Sequence, residues 1–98
     1  MRLAAKVDRN HAEIVRAFRS VPGVLVKDTS RVGGGFPDII VAQPQCGEFI
    51  LHLVEIKDGK KPPSKRKLTQ DQQDFIALGW PVHVVTSTDE AFELLGVV

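Results

Sequence analysis

Three residues of this chain, Asp38, Glu55 and Lys57, are of types and at spacings that can do chemistry together. An apolar run, Phe49 to Val54, continues straight into the acid and the lysine. In a strand, alternate residues share a face, so Phe49, Leu51, Leu53, Glu55 and Lys57 line one side and Ile50, His52, Val54 and Ile56 the other. Glu55 and Lys57 are then neighbours, about 7 Å apart along the strand. Asp38 to Ala42 reads as the preceding strand. A turn through residues 43 to 48 would set Ala42 opposite Phe49 and Asp38 opposite Leu53, so that Asp38 falls diagonal to Glu55 at roughly 7 to 8 Å between Cα atoms. Two carboxylates and an amine converge on one patch.

Such a patch suits a hard divalent cation. Mg²⁺ takes oxygen ligands and is commonly held by one or two carboxylates plus waters, leaving room for a phosphate. Asp38 and Glu55 supply the carboxylates and the Ile56 carbonyl a further oxygen. Lys57 is placed to orient or deprotonate an attacking water and to steady charge developing on phosphorus-bound oxygens. Phosphodiester hydrolysis is the chemistry these residues imply. Nucleophilic catalysis finds no support, because His11, His52 and His83 are scattered and His52 falls on the face away from Glu55. Zinc-ligand spacing and a phosphate-cradling P-loop are also missing from the sequence.

The elements that must position this patch follow from periodicity and breakers. A first helix is expected from Asn10, with Ile14, Phe18 and Val21 at helical spacing, ending before Pro22-Gly23. A short strand at Val24 to Val26 precedes the break at Gly33-Gly34-Gly35. Two hairpin strands follow, joined across Gln43 to Gly47. Thr69 opens a second helix reaching Leu78-Gly79, Pro81 to Val85 forms a strand, and Ser87 or Thr88 caps a last helix. The expected order is αβββαβα.

Charge is distributed unevenly along the chain. The net charge of 98 residues is +1, yet residues 57–67 hold six basic side chains, Lys57, Lys60, Lys61, Lys65, Arg66 and Lys67, against Asp58 alone. This is the footprint of a phosphate-rich partner, although a solvated loop has the same composition. A single cysteine, Cys46, excludes an intrachain disulfide framework and a Cys-based zinc cluster. With no long apolar run after Met1-Arg2 and no apolar stretch of membrane-spanning length, an intracellular, cytoplasmic protein of one domain over residues 1–98 is expected.

Pro37-Asp38, sixteen residues, then Glu55-Ile56-Lys57 resembles the PD-(D/E)XK nuclease signature. The surrounding blocks are similar to the VRR-NUC branch of that superfamily: Gly34-Gly35-Phe36-Pro37-Asp38, Val54-Glu55-Ile56-Lys57, Leu68-Thr69-x-x-Gln72-x-x-Phe75, and the run from Gly79 to Ser87. Where the branch name refers to Val-Arg-Arg, this chain has Val85-Thr86-Ser87, so those arginines have no counterpart. The resemblance implies an α/β, restriction-endonuclease-like core with a mixed four-stranded sheet flanked by helices, and a Mg²⁺- or Mn²⁺-dependent endonuclease. By position it makes Asp38 and Glu55 metal ligands, Lys57 the catalytic lysine, Glu13 the acid of the first helix and Gln72 the glutamine after the core motif. Short stand-alone members of the branch, often found in phages, are similar to dimeric enzymes that cut branched DNA such as four-way junctions. A homodimer acting on structured DNA is thus the implied assembly.

Local explanations compete with some of these roles. Asn10-x-x-Glu13 and Thr69-x-x-Gln72 both fit capping boxes. Gly33 to Gly35 reads as a flexible loop, or as a close approach to DNA with Ser30 and Arg31 touching phosphate. Phe75 and Trp80 read as core rather than as base-stacking platforms. Rival functions are a catalytically silent nucleic-acid-binding or assembly module, and a flap, general or RNA nuclease using the same carboxylates.

Overall fold

The computed structural model describes residues 7–97. Met1 to Lys6, where the expectation of no export signal partly rests, and Val98 lie outside the described residues. The elements are α1 (His11–Ser20), β1 (Leu25–Asp28), β2 (Ile39–Gln45), β3 (Glu48–Ile56), a 3-10 turn (Pro63–Lys65), α2 (Gln70–Ala77), β4 (Val82–Val85) and α3 (Thr88–Leu95). The order is the expected αβββαβα. The sheet runs β1-β2-β3-β4, antiparallel across the first two pairs and parallel between β3 and β4. It is a mixed four-stranded sheet flanked by helices, an α/β fold.

One face of the sheet makes the core. Ile39 and Val41 of β2, Val54 and Ile56 of β3 and Val85 of β4 pack with Ile14 and Phe18 of α1 and Ala91 and Leu95 of α3. The strand alternation that buries Val54 and Ile56 forces Glu55 and Lys57 onto the other face, where α2 lies. Among the described residues no helix is long and apolar enough to cross a membrane.

The hairpin corrects the expected register. β2 continues through Gln43, Pro44 and Gln45, and Gln45 pairs with Glu48 across a two-residue turn, Cys46-Gly47. Both turn residues have positive φ, 52° and 81°, the type I′ geometry that matches the twist of an antiparallel pair. Pro44 is tolerated because β1 pairs only as far as Ala42, leaving that edge of β2 without a ladder to serve. The shift is two residues, so each face keeps its side chains while every partner changes.

α2 buries none of its residues in the main core. A helix of eight residues does not stand alone in water, and three contacts hold this one. Thr69 and Gln72 form a complete capping box. Phe75 meets Phe36 edge-on and stacks on Trp80, both at 5.5 Å between centroids. Gly35 lies against the backbone of Asp71 and Gln72 so closely that a Cβ there would fall inside the Asp71 carbonyl. Gly35 is therefore a packed support for α2, whereas an added Cβ at Gly33 or Gly34 would meet open space. Phe75 and Trp80 form an aromatic cluster apart from the core, with Trp80 half exposed.

Candidate functional site

The corrected register brings the two carboxylates closer than expected. β2 and β3 pair Ile39 with Val54, and one step further Asp38 stands directly across from Glu55. Lys57 N–H bonds to Val85 on the β4 side, so odd-numbered residues of β3 turn their backbone groups away from β2. Asp38 and Glu55 thus occupy a non-hydrogen-bonded position, the kind in which facing side chains approach most closely. The Ile56 N–H donates to Asp38 Oδ2 at 2.8 Å. A strand residue's N–H and C=O point to the same edge, which turns the Ile56 carbonyl toward Asp38 as well.

Glu55 and Lys57 are both buried, at 3% and 9% exposure, with Lys57 Nζ 3.7 Å from Glu55 Oε2. Gln72 ties the two together. Its Nε2 donates to Glu55 Oε2 at 2.7 Å, while its Oε1 accepts from Lys57 Nζ at 3.0 Å and from the Thr69 N–H at 2.8 Å. The cap and the site contact, read from the sequence as competing explanations, are one side chain serving both. Burial first, then the charge of Asp38 and a hydrogen bond with it, push the Glu55 carboxyl up to about 8, with Asp8 adding to the rise and Lys57 opposing it. Without a cation the carboxylate pair holds a proton.

Other expected site residues are placed differently. Glu13 is exposed and lines a cavity between α1 and α3 with Asp58 and Thr86; the acid from this part of the chain that acts on Glu55 is Asp8, three residues ahead of α1. The first capping box does not form. Asn10 turns inward, and its Nδ2 donates to the carbonyls of Lys57 and Thr86, each at 3.1 Å, pinning the ends of β3 and β4 to α1. Asp8 went unrecognised in the sequence because it belongs to no motif, and the tie of Asn10 to β3 and β4 was hidden because it spans 47 and 76 residues.

The basic loop leaves β3 beside the carboxylates. Lys60, Lys65 and Lys67 are exposed and Arg66 is half-buried, whereas Lys61 pairs with Asp8 at 3.7 Å. Ser30 does not offer its hydroxyl outward: its Oγ and N–H both donate to Asp28 Oδ1, at 2.6 and 2.9 Å. Burial works against ionisation of Asp28, but the Ser30 bonds and His11, 2.8 Å away, hold its carboxyl down at about 2. Arg31 is exposed in the same loop. His52 and His83 sit ring to ring on the face of the sheet away from Glu55, with His52 bonded to Gln43 and His83 exposed.

The donor set fits a hard cation. Among the described residues no three His, Cys, Asp or Glu side chains converge, but Mg²⁺ does not require three: two opposed carboxylates and a carbonyl, with waters, are a sufficient oxygen set. The proton held between Asp38 and Glu55 is what such an ion would replace. No protein-family model, curated protein or solved structure matches this chain.

Proposed function

We propose that the chain is a Mg²⁺- or Mn²⁺-dependent DNA endonuclease of the PD-(D/E)XK type, similar to the VRR-NUC branch, acting on branched DNA such as four-way junctions. The observation that carries this reading is the constellation of buried Glu55 and Lys57 with half-buried Asp38 and Gln72 at the root of a basic loop. Asp38, Glu55 and the Ile56 carbonyl would hold the ion. A bound divalent cation supplies Lewis-acid polarisation of the phosphate and a water acidic enough to attack it. Lys57, fixed by Gln72 and Glu55, orients that water and stabilises the charge that develops on the phosphoryl oxygens. Gln72 is a positioning residue. It occupies one oxygen of Glu55 and leaves the other for the ion. Lys60, Lys65, Arg66 and Lys67 meet the phosphodiester backbone without reading sequence, so selectivity falls to substrate shape.

A homodimer supports that selectivity. Beyond α2 the Glu55 face of the sheet is apolar and uncovered: Leu25, Leu51, Phe49 and Val84 are 62%, 66%, 56% and 44% exposed. A phosphate backbone has no use for such a surface, whereas a second copy across it would present two sites to two strands.

Cleavage of labelled four-way junction, flap, duplex and single-stranded DNA tests the reading. Metal-dependent cutting that falls about a hundredfold in Lys57→Ala and vanishes in EDTA is expected, with the junction cut best by a protein of dimeric mass. Salt-sensitive binding without cutting under either metal would make the chain a binding module instead.

The carboxylate pair also fixes a pH dependence. Below about 8 the Glu55 carboxyl keeps its proton, so Mg²⁺ must displace it. Apparent Mg²⁺ affinity is expected to rise with pH, by up to about tenfold per unit, and to level off once the proton is gone. Calorimetry at pH 6.5 in buffers of different ionisation enthalpy should report about one proton released per ion bound. Affinity indifferent to pH would place the ion elsewhere.

A further inference from the structure

The two outer strands, β1 and β4, end the sheet in different ways. β1 is defended: it carries Lys27 and Asp28, and Arg19 Nη2 donates to the Val26 carbonyl at 3.3 Å. Charges and covered backbone groups keep an edge from pairing with another chain. β4, Val82-His83-Val84-Val85, has no such protection. No Lys, Asp, Glu or Pro lies within it, and β-branched valine fills every position but one, the composition of an inner strand.

The register shows which of its backbone groups are free. Lys57 N–H donates to the Val85 carbonyl, so His83 and Val85 turn their backbone groups toward β3 while Val82 and Val84 turn theirs outward. The Val82 N–H folds back to the Trp80 carbonyl at 3.0 Å. The Val82 carbonyl and both backbone groups of Val84 have no backbone partner among the described residues.

Beside this edge lies a cavity of about 370 Å³ between β4 and α3, lined by His83, Val84, Val85, Glu90, Glu93 and Leu94. A strand laid on β4 would sit about 4.8 Å from it, along this cavity, with its side chains alternating between two walls. One wall is Val84, 44% exposed. The other is the flank of α3, where Glu90 spends Oε1 on the N–H and hydroxyl of Thr86, and exposed Glu93 makes no hydrogen bond or ion pair among the described residues. α3 carries Asp89, Glu90 and Glu93 and no basic residue.

We infer that β4 and α3 form a docking groove for an extended segment of a partner protein in which apolar and basic residues alternate, added to the sheet as a fifth strand. In strand addition the main-chain bonds supply affinity and alternate side chains supply specificity. The two walls fix the occupant. Val84 takes an apolar side chain, and the carboxylates opposite take lysine or arginine and turn away an acidic segment. They turn away a phosphate backbone as well, so the groove does not depend on the nuclease reading.

Amide NMR of the full chain tests the inference, with three end-blocked peptides as probes: Val-Lys-Val-Lys-Val, Val-Glu-Val-Glu-Val and Lys-Lys-Val-Val-Val. The alternating lysine peptide is expected to shift the amides of Val82 to Val85 and of Glu93, to slow hydrogen exchange at Val84, and to bind at least about tenfold tighter than either of the others. Glu93→Lys, at an exposed position, should weaken the lysine peptide about tenfold and strengthen the glutamate peptide, a reversal that loss of structure would not produce. Val84→Pro should abolish binding and leave the ladder to β3 in place, because the N–H it removes points outward. Equal binding of the two lysine peptides would reduce the groove to an acidic patch and overturn the inference. So would unmoved amides at Val84, or a Val84 amide protected without peptide to a degree that rises with protein concentration, which would give the edge to a second copy of this chain.

Discussion

Glu55→Gln lowers metal-dependent cleavage by about a thousandfold, the several kcal/mol a bound ion contributes, and at the same time makes the metal-free protein more stable. The two effects share one cause. Glu55 is buried against Asp38, and its carboxyl is held up at about 8 against an ordinary 4.5. A carboxyl with a raised value in the native state binds its proton more tightly there than in the unfolded chain. Its contribution to stability is full below about 4.5 and is lost as pH rises through about 8. Glutamine has no proton to lose. It can still accept from Gln72 and Lys57 through its oxygen, and its amide can donate to Asp38, so the surrounding contacts survive. Asp38, Lys57, Gln72 and Asp8, the groups that face position 55, stay as they are. Melting in EDTA should therefore give nearly equal Tm for the two proteins near pH 4.5 and a gap of about 5 °C or more in favour of the variant at pH 9. Added Mg²⁺ should raise the Tm of the wild type and leave the variant where it was. A variant less stable at pH 9 that still cleaves DNA would mean that Glu55 merely neutralises Lys57.

That prediction depends on a register that hydrophobic alternation alone could not set. Alternation in Phe49 to Lys57 was enough to put Glu55 and Lys57 on one face, because a period of two fixes faces whatever the partner. The partner depends on the turn, and Cys46-Gly47 lacks the Asn-Gly or Asp-Gly signature by which a type I′ turn is read. Pro44 compounded the misreading, since its tolerance in β2 depends on where β1 stops pairing. Asn10 shows the same limit at a helix end. Its spacing to Glu13 fits a capping box, but the carbonyls of Lys57 and Thr86 lie within reach only after β3 and β4 have paired. Gln72 was legible because its cap is local, within four residues, while its bonds to Glu55 and Lys57 needed the placement of α2.

The placement of α2 leads to the other large effect, at a residue that touches neither substrate nor carboxylate. Gly35→Ala is expected to destabilise the protein by more than about 3 kcal/mol and to lower cleavage by about a hundredfold. Gly35 has φ of +83°, a region that costs a residue with a Cβ about 1 to 2 kcal/mol. The added carbon would also fall inside the Asp71 carbonyl and 2.9 Å from the Gln72 nitrogen. Neither obstacle is a flexible side-chain tip; both are backbone in the first turn of α2. The loop or the helix must move, and Phe36, next in the chain, carries the displacement to Phe75. Gln72 then leaves Glu55 Oε2 and Lys57 Nζ, and a displacement of about 1 Å is enough for the expected loss. Gly34→Ala is the control on the same loop. Its φ is +64°, and nothing lies within 4 Å of an added Cβ, so it meets the backbone cost of about 1 to 2 kcal/mol alone and should keep cleavage within about twofold of wild type. Urea melts and single-turnover cleavage of the two variants side by side separate the contributions. Equal losses in both would mean that loop conformation, and not the seat it provides for α2, is what the glycines supply; a wide gap would make Gly35 the support on which the Gln72 bridge stands.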